Sequence, residues 1–125
     1  MKELNQNITL NGKWKFITDA GSELTYDEVE KKYLENDIRE MEIPSNWELQ
    51  GLHNFNGSVW FIKEFTISTP NHLSILKFNG VDYFTDVWLN KKFLGSHEGY
   101  FQPFFFDITD YVSEKNLLIV KVTSP

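Results

Sequence analysis

The 125-residue, 14.7 kDa chain carries 12 Lys and Arg against 18 Asp and Glu, a net charge of -6 at pH 7. That length is close to the commonest for one domain, so residues 1–125 read as a single domain able to bury roughly two thirds of its unfolded surface. The acidic balance argues against nucleic acid as a partner, and the lack of cysteine excludes disulfides, thiolate metal sites and a Cys nucleophile.

From the amino terminus, apolar residues alternate at Leu10, Trp14 and Phe16 in the spacing of a half-buried strand. Thr25-Tyr26-Asp27-Glu28 then has the form of a capping box, with Leu24 and Val29 placed to staple it and Tyr33 on the face of Val29. The pattern predicts a short helix over residues 26–34, whose charges at Asp27, Glu28, Glu30, Lys31 and Lys32 form a solvated face. Met41 and Ile43 resume strand spacing, and Pro44-Ser45-Asn46 opens a capped turn stopped by Gly51. Strands follow at Phe61, Phe65 and Ile67, then at Leu73 to Val81, Phe84 to Leu89, Phe104 to Ile108 and Leu117 to Val122. Asp107-Ile108-Thr109-Asp110 sets a strand end against a capped turn at Tyr111 and Val112. About seven short strands with one helix indicate a β-sandwich or barrel. Trp14, Trp60, Trp88, Phe65, Phe78 and Val120 are expected between its sheets.

The 16% aromatic content, with 11 Phe and 4 Trp, suits strands, an aromatic core or a carbohydrate-facing surface. Trp14, Trp47, Trp60 and Trp88 each lie inside a strand or turn motif, so burial is the expectation and sugar stacking the alternative. His53, His72 and His97 are too dispersed for a local metal motif, and no metal or cofactor is expected. Residues Met1 to Thr9 lack the apolar run of a signal peptide and no stretch approaches a membrane span, so a cytoplasmic location is expected. On that basis the sequons at Asn7 and Asn56 read as coincidental.

Several segments, taken in order, carry a family resemblance. They are Leu10-Asn11-Gly12-Lys13-Trp14-Lys15-Phe16, Ile43-Pro44-Ser45-Asn46-Trp47, Val59-Trp60-Phe61 with Glu64-Phe65, and Phe78-Asn79-Gly80-Val81-Asp82. Val87-Trp88-Leu89-Asn90, His97-Glu98-Gly99-Tyr100, Pro103-Phe104 and Asp107-Ile108-Thr109 continue the series. Together they resemble the amino-terminal sugar-binding domain of glycoside hydrolase family two, which includes β-galactosidases, β-glucuronidases and β-mannosidases. The resemblance implies an all-β, galactose-binding-like jelly-roll sandwich with the helix inserted near residues 26–34. It also implies an immunoglobulin-like domain and a catalytic barrel as partners outside the chain, and a domain cut short at its carboxyl end. The family usually places Gly after Asn90; here Lys91 must be tolerated in the turn.

Retaining glycosidases use two carboxyl groups about 5 Å apart. In the resembled family both are barrel glutamates, so none of Asp82, Asp86, Glu98 or Asp107 takes those roles. His97 beside Glu98 invites an acid/base reading, but neighbours on a strand point to opposite faces. The stretch from Leu52 to Ser58 matches a loop that in β-galactosidases reaches the sugar, and His53, Asn54, Asn56 and Ser58 supply donors and acceptors for hydroxyls, with Gly57 permitting close approach. The expected function is a noncatalytic module bordering the substrate site of a parent glycosidase, with homo-oligomers allowed. A stand-alone lectin-like module and a purely structural docking domain are the alternatives.

Overall fold

The computed structural model describes residues 9–10, 12–35, 38–43, 57–68, 73–79, 84–99 and 103–123. Among the described residues, eight strands and one helix follow in the order β1 (Gly12–Asp19), α1 (Tyr26–Leu34), β2 (Arg39–Ile43), β3 (Ser58–Thr66), β4 (Ile75–Asn79), β5 (Phe84–Leu89), β6 (Lys92–Glu98), β7 (Pro103–Asp107) and β8 (Lys115–Thr123). A six-stranded antiparallel sheet, in the order β2-β1-β3-β8-β5-β6, faces a two-stranded sheet of β4 and β7. The expected all-β sandwich is thus realised.

β3 and β8, at the centre of the large sheet, are buried on both faces, which is why Val59-Trp60-Phe61-Ile62 and Leu118-Ile119-Val120 are continuous apolar runs rather than alternating ones. The inner face sends Trp14, Phe16, Phe61, Val87, Leu89 and Val120 toward Leu76 and Ile108. On the small sheet, Phe78 stacks on Phe104 at 4.9 Å and Phe106 meets Phe104 edge-on at 6.0 Å, geometries favoured by ring quadrupoles. Gly95 makes room for this cluster: its φ is +152° and a Cβ there would lie 3.0 Å from Phe106.

The outer face is a second core, made of Ile17, Trp60, Ile62 and Ile119 under Val29 of α1, with Leu24, Tyr26, Tyr33 and Trp88 around it. The expectation that Trp60 and Trp88 fill the inter-sheet core is therefore corrected. Trp14 and Val120 lie there, with Phe65 and Phe78 packed against them, but the period-two alternation turns Trp60 and Trp88 to the helix side. The helix itself begins as the sequence predicts. Glu28 N–H donates to Thr25 Oγ1 at 3.3 Å and Thr25 N–H to Glu28 Oε1 at 2.9 Å. Of its charged residues, Glu30 leaves the solvated face to pair with Lys91 Nζ at 2.9 Å.

β6 was not foreseen from the sequence. It is an edge strand with exposed Lys92 and Phe93, a central glycine and a register shift between Val87 and Trp88, so its alternation is blurred. The turn before it accepts Lys91 without lengthening. Asn90 and Lys91 have φ of 50° and 72°, the left-handed pair that closes a two-residue hairpin, at a strain of about 1–2 kcal/mol for the lysine. The turn at Pro44 to Gly51 and Trp47 within it lie outside the described residues.

Asn90 also clips the hairpin to the rest of the sheet. Its Nδ2 donates to Tyr111 O at 2.9 Å and Asn116 Oδ1 at 3.0 Å, and its Oδ1 accepts from Leu117 N–H at 2.9 Å. Asn116, buried beside it, donates to Ser113 O and accepts from Ser113 N–H, each at 2.8 Å. Asn90→Ala removes three hydrogen bonds and places a β-carbon residue without local polar support at positive φ. It is expected to lower unfolding free energy by about 2–4 kcal/mol in urea titration, with little change of slope.

Candidate functional site

The expected site loop, Leu52 to Ser58, enters the described structure only at its carboxyl end, and His53, Asn54 and Asn56 lie outside the described residues. Its end is firmly held. Ser58 is the first residue of β3 and is completely buried; its hydroxyl lies 2.7 Å from Thr123 Oγ1 and also hydrogen-bonds to Ser22. Its expected role as an open sugar-facing hydroxyl is corrected, because tertiary packing engages the group with two other hydroxyls. Gly57 departs from expectation in a similar way. At φ +117°, its missing Cβ would sit 2.5 Å from Ala20 O and 2.7 Å from Asp19 O, so the backbone it approaches is that of the β1 end rather than a sugar.

Asp19 organises this loop base. Its carboxylate accepts from Glu23 N–H at 2.8 Å, Leu24 N–H at 3.0 Å and Trp60 Nε1–H at 3.1 Å, and its carbonyl accepts from Ser22 N–H. Burial pushes the carboxyl pKa upward, but the Trp60 indole, the two backbone donors and the positive charge of Lys121 outweigh it and hold the group below the ordinary carboxylate value. One side chain thus fixes the turn that leads to the α1 cap and the tryptophan beneath the helix. An Asp ending a strand before Gly and Ser was the only sequence signal of this role, and it reads equally well as an ordinary turn.

The other carboxylates are dispersed. Asp86 accepts from Ser96 Oγ at 2.5 Å on the outer face. Asp107 accepts from Thr109 Oγ1 at 2.6 Å and Thr109 N–H at 3.0 Å, which hold its pKa below the ordinary value and shape the turn at Tyr111. Glu98 is exposed, whereas the His97 ring stacks on Phe104 at 4.0 Å and pairs across the strands with buried Thr85. His97 Nδ1 and Thr85 Oγ1 have no hydrogen-bond partner among the described residues. This arrangement separates His97 from Glu98 as strand alternation requires, and it provides no acid/base couple. Among the described residues no group of His, Asp and Glu is arranged to hold a metal ion, and no helix is long and apolar enough to cross a membrane.

An antiparallel two-sheet sandwich with a helix on its outer face defines the class of β-sandwich modules. Residues 50–124 match the family model for the sugar binding domain of glycosyl hydrolases family 2, and the chain belongs to that family. It is 31% identical to a β-galactosidase of Clostridium acetobutylicum over 147 aligned positions, covering 95% of this chain but 16% of that protein. A β-glucuronidase of Bacteroides fragilis is 26% identical, with 95% and 17% covered. The solved β-glucuronidase of Bifidobacterium dentium, complexed with coumarin-3-O-glucuronide, superposes with a TM-score of 0.77 at 31% identity, with 90% of this chain and 19% of that one covered. The chain therefore spans about one fifth of the length of these relatives.

The depressed pKa fixes the sign of an acid dependence. The stabilisation from ionised Asp19 is complete above about pH 4, the unfolded value, and is lost as pH falls through the lower folded value. Asp19→Asn keeps the shape but replaces one acceptor oxygen and removes the charge. It is expected to lower stability at pH 7 by about 2–3 kcal/mol and to flatten the fall in stability below pH 4, measured by urea unfolding across pH.

Proposed function

We propose that the chain is the noncatalytic amino-terminal module of a retaining β-glycosidase that hydrolyses terminal β-glycosides. On this reading residues 1–125 form one domain, and loop 52–58 borders the substrate site of a barrel elsewhere in a longer polypeptide. The carrying observation is the match of nearly the whole chain to about one fifth of several β-glucuronidases and β-galactosidases. The immobilised base of the loop at Gly57 and Ser58 supports the reading, since a rigid support lets His53, Asn54 and Asn56 reach hydroxyls from a defined position. A cytoplasmic setting belongs to the same reading, supported by the cysteine-free sequence.

Partners of this module would be an immunoglobulin-like domain, the barrel and the carbohydrate it holds. The outer face of the small sheet suits such docking: Ile75 and Phe105 are 52% and 63% exposed, and Leu73, just before β4, is 64% exposed. Exposed apolar clusters of this kind mark interaction surfaces. Separated from its partners, the chain is expected to self-associate at high concentration in sedimentation, and Phe105→Glu to return it to a monomer. Because Phe105 is exposed, that change should alter stability by no more than about 0.5 kcal/mol. A strict monomer with no dye-binding apolar surface would remove the docking face.

The catalytic reading is tested in two assays. The 125-residue chain should not turn over nitrophenyl β-galactoside, β-glucuronide or β-mannoside, and turnover that survives repurification and disappears in Glu98→Gln would overturn the noncatalytic assignment. In the polypeptide encoded by the complete gene, His53→Ala, Asn54→Ala and Asn56→Ala are each expected to change kcat/KM by about tenfold, equivalent to about 1.4 kcal/mol of transition-state binding. Unchanged kinetics in all three would take the loop away from the substrate.

A further inference from the structure

The outer face of the small sheet carries its exposed residues in a regular pattern. On β4, Ile75 and Lys77 project outward while Leu76 and Phe78 turn to the inner core; on β7, Phe105 and Asp107 project outward on either side of Phe106. Register sets Ile75 opposite Asp107 and Lys77 opposite Phe105, and all four are exposed. They occupy the corners of a rectangle about 5 Å across the strands and about 7 Å along them. The two apolar side chains lie on one diagonal and the two charges on the other. Asp107 has acceptor capacity to spare, since both of its bonds from Thr109 fall on Oδ1 and leave Oδ2 open.

We propose that this face binds a second copy of the chain, in a two-fold dimer whose axis runs along the Ile75–Phe105 diagonal. A half-turn about that line lays Ile75 and Phe105 of one copy on the same residues of the other, and sets Lys77 of each copy over Asp107 of the other. The rectangle's three remaining axes pair it badly. An axis along the strands sets Ile75 against Asp107 and Phe105 against Lys77, an axis across them sets Ile75 against Lys77 and Phe105 against Asp107, and the other diagonal sets like charges together. Each of these buries charge against an apolar side chain or against its own sign, which is costly. The favoured diagonal lies about 35° from the strands, so the two sheets cross at about 70°, close to the orthogonal class of sheet packing. Such an arrangement is closed and yields a dimer with no larger species. Two strands of five residues offer less than the roughly 800 Å² per partner of a standard interface, which places the dimer in the weak class and makes its two Lys–Asp pairs decisive for register.

The inference rests on the reading above only in taking this face to be an interface. Sedimentation equilibrium of the 125-residue chain is expected to fit monomer and dimer alone, with association weakened by salt. Lys77→Glu, at an exposed position, should raise the dissociation constant about tenfold, because it sets two carboxylates together on both sides of the axis. Asp107→Lys should do the same with two ammonium groups; it also loses the Thr109 bonds, so its urea midpoint is measured alongside. An equimolar mixture of the two variants should regain the affinity of the unaltered chain to within about threefold, since the introduced glutamate then meets the introduced lysine and one native pair is kept. A dimer whose affinity is unchanged in Lys77→Glu overturns the proposal and leaves the face to another domain, as does a mixture of two folded variants that fails to associate. Assembly beyond the dimer also overturns it, and a strict monomer removes the two-fold and the docking face together.

Discussion

Because β3 and β8 bury side chains on both faces, the large sheet needs a cover on each side. Trp60, Ile62 and Ile119 are nearly inaccessible, as are Val59, Leu118 and Val120 on the opposite face. Removing a large apolar side chain from water contributes roughly 1.5–3 kcal/mol, so leaving either set uncovered would cost a large part of a typical domain's stability. The small sheet covers one face and α1 the other. A nine-residue helix is too short to be stable alone; its place is secured by Val29 packed into the outer core and by the capping box at its start.

The position of that helix is tied to the loop region through Asp19. A single carboxylate holds the Glu23–Leu24 backbone that leads into the Thr25 cap, and the indole of Trp60 on the neighbouring strand. One residue beyond it, the carbonyl of Ala20 fills the space that a side chain on Gly57 would need. The outer core, the α1 entry and the end of loop 52–58 are consequently parts of one packed assembly. Strain introduced at Gly57 would reach the helix through a few van der Waals contacts, without any long chain of couplings.

Local chemistry was the most legible part of the sequence. The helix from Tyr26 to Leu34 follows from a capping box whose partners are three residues apart, and the Asp107–Thr109 turn from an equally short spacing. The family was legible because many short motifs occur in order along the chain, each weak by itself. Facing is not legible where both sides of a strand are buried: in Val59-Trp60-Phe61-Ile62 nothing polar marks the outside, so the pattern does not reveal that Trp60 faces the helix. β6 escaped notice because an edge strand has only one neighbour to satisfy and tolerates Lys92, Gly95 and Ser96. At the candidate site, donor-rich composition identified a loop, but the role of Ser58 depends on Ser22 and Thr123, 36 and 65 positions away.

The division of labour across this fold explains how one scaffold can serve enzymes acting on different sugars. Residues that determine folding, such as Asp19, Asn90, Asn116 and the paired faces of β3 and β8, are buried or spent on hydrogen bonds within the chain. Exposed apolar residues, such as Phe93, Phe105 and Ile75, project from the same sheets toward solvent. Substitution of the second set costs little stability, whereas substitution of the first costs several kcal/mol. The contacts such surfaces make can therefore change at outer faces while the sandwich, and with it the orientation of those surfaces, stays fixed.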